Sequence, residues 1–108
     1  MKRGNIWMVD FEPTGGQEQR GHRPVLIISP DAYNESFAPL VCPITSGGNY
    51  ARNKGVAVQI VGGKTTGVVL CNQMRTVDVK ARGGKRVEAI APAVLQEVLW
   101  AVQDIVAD

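Results

Sequence analysis

Ile6-Trp7-Met8-Val9-Asp10-Phe11 and Val25-Leu26-Ile27-Ile28-Ser29 are two apolar stretches joined by Glu12-Pro13-Thr14-Gly15-Gly16-Gln17-Glu18-Gln19-Arg20-Gly21-His22-Arg23-Pro24. The first stretch reads as a strand. The second is a continuous apolar run, suited to a strand buried on both faces. Hairpin loops are usually far shorter than residues 12–24. This one holds the only histidine of the chain, together with carboxylates, arginines and glutamines. Long polar loops anchored by rigid strands are where binding and catalytic groups concentrate.

Further strands follow outward from this pair. Pro30-Asp31-Ala32-Tyr33-Asn34-Glu35 fits a short helical turn, with Ser29 as N-cap and Pro30 at the first helical position. Leu40-Val41-Cys42-Pro43-Ile44 reads as a strand, and Pro43 demands an edge, an end or a bulge. Residues 45–50 form a second polar, Gly-rich loop. Residues 56–61, 68–71, 76–81 and 87–90 supply four more short apolar or alternating segments, separated by Gly-rich turns. The end of the chain differs. From Pro92 onward, Val94, Leu95, Val98, Leu99, Val102, Ile105 and Val106 fall on one helical face. The expectation is a mostly β domain: a small barrel over about residues 1–90, capped at its open mouth by a C-terminal helix over about 92–107.

The 108 residues suit one domain with a modest core. No apolar run approaches the roughly 20 residues that span a bilayer. The start lacks an apolar leader with a cleavage site, so the expected location is cytoplasmic, away from membranes. Cys42 and Cys71 lie in apolar runs and read as buried reduced thiols. Two cysteines and one histidine, widely spaced, give no metal-ligand pattern, and no cofactor is expected. Charge is unevenly spread. Residues 1–86 hold all 12 Lys and Arg with 6 Asp and Glu, whereas residues 87–108 hold 4 Asp and Glu and no Lys or Arg. A basic body suggests a polyanionic partner, and a solvated surface with an acidic helix explains it equally well.

Several short motifs recur in order along the chain. They are Arg3-Gly4-Asn5-Ile6-Trp7, Pro13-Thr14, Glu18-Gln19, Gly21-His22-Arg23-Pro24, and Pro43-Ile44-Thr45-Ser46-Gly47-Gly48-Asn49. Thr65-Thr66-Gly67-Val68-Val69, Asn72-Gln73, Arg75-Thr76 and Lys80-Ala81-Arg82-Gly83-Gly84-Lys85-Arg86 continue the series. Each is weak alone. In this order and spacing the chain resembles the MazF/PemK family of toxins from type II toxin–antitoxin systems, nearest the PemK/Kid branch. The resemblance implies an SH3-like β-barrel with a C-terminal helix, acting as a homodimer. It also implies a metal-independent, sequence-specific endoribonuclease that cuts single-stranded mRNA, leaving 2′,3′-cyclic phosphate and 5′-hydroxyl ends and arresting growth. The partner it implies is an antitoxin whose acidic C-terminal segment folds across the RNA groove.

Metal-free RNA cleavage needs a base for the 2′-OH proton, a donor for the leaving 5′ oxygen, and cations for charge developing on the phosphate. Arg23 matches the loop arginine of the family. Its fork suits phosphate oxygens, and it is a poor base because guanidinium hardly deprotonates. Pairing with a carboxylate at the start of the strand is the bland alternative. Thr45 matches a hydroxyl placed beside the scissile phosphate, able to donate to phosphate and accept from the 2′-OH. Its bland alternative is a side-chain bond within a Gly-rich turn. Glu18 is the nearest loop carboxylate, and stands between orienting Arg23 and transferring a proton. His22 is the only imidazole, a side-chain type suited to proton transfer, but reads as orienting or structural.

The chain departs from the branch at three places. Gln17 stands where a histidine is common, Asn72 where an acid precedes glutamine, and Leu70 where an arginine can precede that pair. Amides cannot shuttle protons, so catalysis is assigned to Arg23, Thr45 and Glu18. RNA binding is assigned to Gln17, Gln19, His22, Ser46, Asn72 and Gln73, because amides suit the exposed base edges of single strands. Arg75, Arg82 and Lys85 would attract the backbone. Two alternatives share the fold: a non-catalytic gyrase inhibitor resembling CcdB, and a weakly active RNA-binding relative.

Overall fold

A computed structural model describes residues 1–10, 22–46 and 55–107. Its elements are β1 (Asn5–Asp10), β2 (His22–Ile27), α1 (Asp31–Ser36), β3 (Leu40–Thr45), β4 (Ala57–Gln59) and β5 (Val68–Leu70). After these come a 3-10 turn (Cys71–Gln73), β6 (Arg75–Thr76), β7 (Lys85–Ala89) and α2 (Pro92–Val106). Among the described residues the strands form one antiparallel sheet in the order β4-β5-β3-β2-β1-β7, with β6 added to β3. The architecture is mostly β with a C-terminal helix, as expected.

The central strands are buried on both faces. In β2 and just beyond it, Val25, Leu26, Ile27, Ile28 and Ser29 are all buried, as a continuous apolar run requires. Side chains alternate across a strand. Leu26, Ile28, Cys42, Ile44, Val58, Val69 and Ile90 therefore point into an inner core, with Val94 and Val98 of α2 closing it. Val9, Val25, Ile27 and Val41 point the other way, into an outer cluster covered by Val77 and Val79. The helix begins with Pro92 in its first turn, where a missing N–H is harmless.

Five expectations change. His22, Arg23 and Pro24 belong to β2, paired with Asp10, Val9 and Met8, so the connection is shorter than 12–24 at its far end. Ser29 is not the cap of α1; Pro30 is, with no side-chain cap bond. The Ser29 hydroxyl instead donates to Asn34 Oδ1 and accepts the Leu40 amide at 2.9 Å, satisfying a buried polar group. Residues 76–81 alternate like a strand, yet only Arg75–Thr76 pairs. Val77 and Val79 bury as the alternation requires, while residues 79–83 turn. Arg82–Arg86 is not wholly a turn, because Lys85 and Arg86 open β7. Ile105 and Val106, on the expected apolar face of the helix, are exposed because α2 runs past the sheet.

A side chain of the edge strand β7 holds the turn between β4 and β5. The half-buried Glu88 carboxylate accepts the Thr65 hydroxyl at 2.6 Å, the Thr65 amide at 2.7 Å and the Lys64 amide at 3.0 Å. Successive amides in such a turn make a concave anion site. Gly63, at φ +74°, leaves room for the carboxylate; a Cβ there would lie 2.5 Å from Glu88 Oε1. The Thr65 hydroxyl first, then the Lys64 and Thr65 amides, hold the Glu88 carboxyl below its usual range.

Candidate nucleic-acid interface

By register, Arg23 and Thr45 fall on one row of the sheet, beyond the last paired residues of their two strands. The β2–β3 ladder pairs Ile27 with Val41, Leu26 with Cys42 and Val25 with Pro43, and is not continued beyond that pair. Pro24 and Pro43 remove amide donors at this point, which stops the ladder. Continuing the register by two residues would align Arg23 with Thr45, which are not themselves paired. On either side the row extends through Val9, paired with Arg23, and through Val68, paired with Thr45 and with Gln59. Both side chains are half-buried and alternate onto the outer face, the side of Val9, Val25 and Val41. A guanidinium fork and a hydroxyl on one face, at the end of an interrupted ladder, can grip one phosphate together. Glu12 and Glu18, the loop carboxylates that could pair with Arg23, lie outside the described residues.

His22 is exposed and pairs with Asp10. It lines an open depression of about 470 Å³ with Asp10, Asp78, Ala81, Arg82 and Gly83. Here Arg82 is tied to β1: its carbonyl accepts the Asp10 amide at 3.0 Å, and its Nη1 donates to the Asp10 carbonyl at 3.4 Å. The depression is of mixed charge. Two carboxylates, Asp10 and Asp78, stand beside what the sequence presents as a basic turn.

The remaining expected residues spread along the sheet. Ser46 follows Thr45 and is exposed. Asn72 and Gln73 are exposed on the 3-10 turn that succeeds β5. Arg75 pairs with Val41 at the far end of β3. Four residues of strand separate it from Thr45, roughly 13 Å. Lys85 pairs with Met8, one residue from the row, on the β7 edge. Glu18, Gln17 and Gln19 lie outside the described residues. The structure thus brings Arg23, Thr45, Ser46 and His22 to one end of the sheet, and leaves Arg75 at the other.

Gln59 and Gly67 also belong to this end and are not among the expected site residues. Gln59 sits in the row and donates to the Gly67 carbonyl at 3.1 Å. Only strand pairing reveals them, since neither stands near Thr45 in sequence. Cys42 and Cys71 are buried in the inner core as free thiols. Burial pushes Cys42 up to about 12, with Cys71 adding to the shift, and burial pushes Cys71 up to about 11. Among the described residues no group of His, Cys, Asp and Glu is placed to hold a metal ion. No helix there is long and apolar enough to cross a membrane.

Comparison with known proteins agrees with this arrangement. The profile of the family described as PemK-like, MazF-like toxin of type II toxin–antitoxin system matches residues 2–106. Endoribonuclease PemK of Escherichia coli is 53% identical over 108 residues, covering 97% of this chain and 81% of that protein. Endoribonuclease toxin ChpB of Escherichia coli K12 is 44% identical over 108 residues, covering 97% and 93%. Among solved structures, a MazE–MazF crystal structure from Deinococcus radiodurans superposes with a TM-score of 0.84 at 29% identity, covering 97% of this chain and 94% of that one. The profile match over residues 2–106 and the identity to PemK and ChpB, carried on a barrel-like sheet with a C-terminal helix, place this chain in the family of PemK-like, MazF-like toxins of type II toxin–antitoxin systems.

Proposed function

We propose that this chain is the endoribonuclease toxin of its toxin–antitoxin pair, acting in the cytoplasm as a homodimer of one domain spanning residues 1–108. The substrate is single-stranded mRNA cut at a short sequence motif. The 2′ oxygen attacks the adjacent phosphorus, the P–O5′ bond breaks, and 2′,3′-cyclic phosphate and 5′-OH ends result. The 2′-OH proton passes to a base, and the leaving O5′ takes up a proton. The observation that carries the reading is that Arg23 and Thr45 both alternate onto the outer face of neighbouring strands, just beyond the last pair, Val25 and Pro43. Arg23 holds the non-bridging oxygens as their charge grows, a role for which preorganised donors are worth most. The Thr45 hydroxyl orients the 2′-OH or donates to the phosphate. Glu18 is the carboxylate assigned to proton transfer.

Gln17, Gln19, His22, Ser46, Asn72 and Gln73 read bases in this scheme, and Arg75, Arg82 and Lys85 attract the backbone. The antitoxin competes for the same cations with an acidic segment. The endoribonuclease names of PemK and ChpB support the reaction class, and the MazE–MazF structure supports an antitoxin partner.

Mapping 5′ ends in a mixed RNA pool, in EDTA, tests the proposal. The protein should generate 5′-OH ends at a recurring short motif, and Arg23→Ala should cut about 10²–10³-fold more slowly, the usual cost of one charge-stabilising donor. An intact RNA pool, or cleavage unaffected by Arg23→Ala, refutes it.

A further inference from the structure

Gly67 touches Thr45 more closely than any side-chain-bearing residue could. It precedes β5 with φ +119°, a backbone conformation that L side chains rarely adopt. A Cβ there would stand 2.4 Å from the Thr45 carbonyl oxygen and 3.0 Å from its carbon. From the other side Gly67 is pinned. Its carbonyl accepts the Ile60 amide at 2.9 Å and Gln59 Nε2 at 3.1 Å. The turn leading into it, residues 62–66, is anchored to β7 through Glu88.

The two flanks of Thr45 are unequal. Towards β2 the ladder is not continued beyond Val25 and Pro43, so no strand pairing there fixes how far Thr45 stands from Arg23. Towards β5 the ladder continues through Thr45 and Val68. On the β5 side the strand end carrying the hydroxyl is held by this pairing, and Gly67 sets the closest approach. We propose that Gly67 is a positioning residue for the reaction, fixing the separation of the Thr45 hydroxyl from the Arg23 guanidinium, with the Glu88-anchored turn holding Gly67 against Thr45. The inference rests on the assignment of Thr45 to catalysis made above.

A methyl group at position 67 forces the Thr45 carbonyl to retreat by several tenths of an ångström or more. Misplacement on the order of 1 Å costs about 10²-fold in a positioned reaction. The test uses purified full-length protein and two measurements. One is the single-turnover cleavage rate at saturating protein. The other is affinity for the same oligonucleotide carrying a 2′-deoxy sugar at the cut site. Gly67→Ala should lower the rate about 10–100-fold and leave that affinity within about threefold. In a Thr45→Ala background the same change should have almost no further effect, because two residues acting through one group are not additive.

Should Gly67→Ala fail to fold, Glu88→Ala releases the turn without adding an atom near Thr45. It should slow cleavage several-fold, again only when Thr45 is present. Full activity of Thr45→Ala alone would overturn the role of Thr45. A slow Thr45→Ala protein in which Gly67→Ala or Glu88→Ala still exerts its whole effect would overturn the positioning role and leave the catalytic assignment of Thr45 standing. A loss that resides in affinity rather than rate would overturn it too.

Discussion

The two faces of β2 are both dry, yet they are closed by different means. The inner face, with Leu26 and Ile28, is sealed by a fifteen-residue helix that contributes Val94 and Val98. The outer face, with Val25 and Ile27, is sealed by an irregular segment that contributes Val77 and Val79. A helix docked across a curved sheet is a rigid lid with many packed atoms. A turn held by Asp78 accepting the Ala81 amide is smaller and can adjust. The difference is one of task. The inner face carries stability. Arg23 and Thr45 stand half-buried at one end of the outer face, beyond Val25.

Adjacent residues offer the sharpest test of this contrast. Leu26 and Ile27 are both fully buried and face opposite sides. Leu26→Ala should cost about 3–5 kcal/mol, near the upper range for core truncations that leave a cavity. Ile27→Ala should cost about 2–3 kcal/mol, because residues 77–84 can settle into the gap. Urea unfolding of both variants measures the pair. Equal costs, or a larger one for Ile27→Ala, would break the comparison.

A smaller effect is expected at the seam. The folded Glu88 carboxyl lies below its ordinary 4.5, so its contribution is present above that pH and is lost as pH falls through the lowered folded value. Melting temperatures of the protein and of Glu88→Gln should therefore differ at pH 7 and converge in acid. Curves that stay parallel down to pH 3 would show that the carboxylate does not hold the β4–β5 turn to β7.

The smallest effect concerns the thiols. With Cys42 at about 12 and Cys71 at about 11, both inside the helix-sealed core, neither supplies thiolate near neutral pH. Native protein at pH 8 should resist alkylation over hours, and 6 M guanidinium should expose both sites at once. Fast labelling of the native protein would mean that the inner core opens more readily than its packing implies.

Much of this was legible in the chain. The run from Val25 to Ser29 announced a strand dry on both sides, because no polar residue interrupts it before the serine. The helix was legible from its 3.6-residue period and from Pro92 at its start. The residue types of the site were legible too, since phosphate chemistry calls for a cation and a hydroxyl. What misled was local pattern. Residues 76–81 alternate as a strand does, but a third extended partner for β3 is needed only over Arg75 and Thr76. Ser29 has the chemistry of a cap, but burial beside Asn34 and the Leu40 amide claims its hydroxyl.

The sequence by itself determined which segments must hide from water, where the helix begins, and that Arg23 and Thr45 are available for phosphate chemistry. The first two follow from composition and period, which are local, and the third from the resemblance to the toxin family. Only the tertiary structure decided that the two residues fall on one row by register, that Gly67 presses on Thr45, and that Glu88 holds the turn between β4 and β5. Those facts depend on pairing register and on a ladder ended by two prolines. Register is fixed by contacts between distant segments, with Thr45 and Val68 brought together by the fold alone.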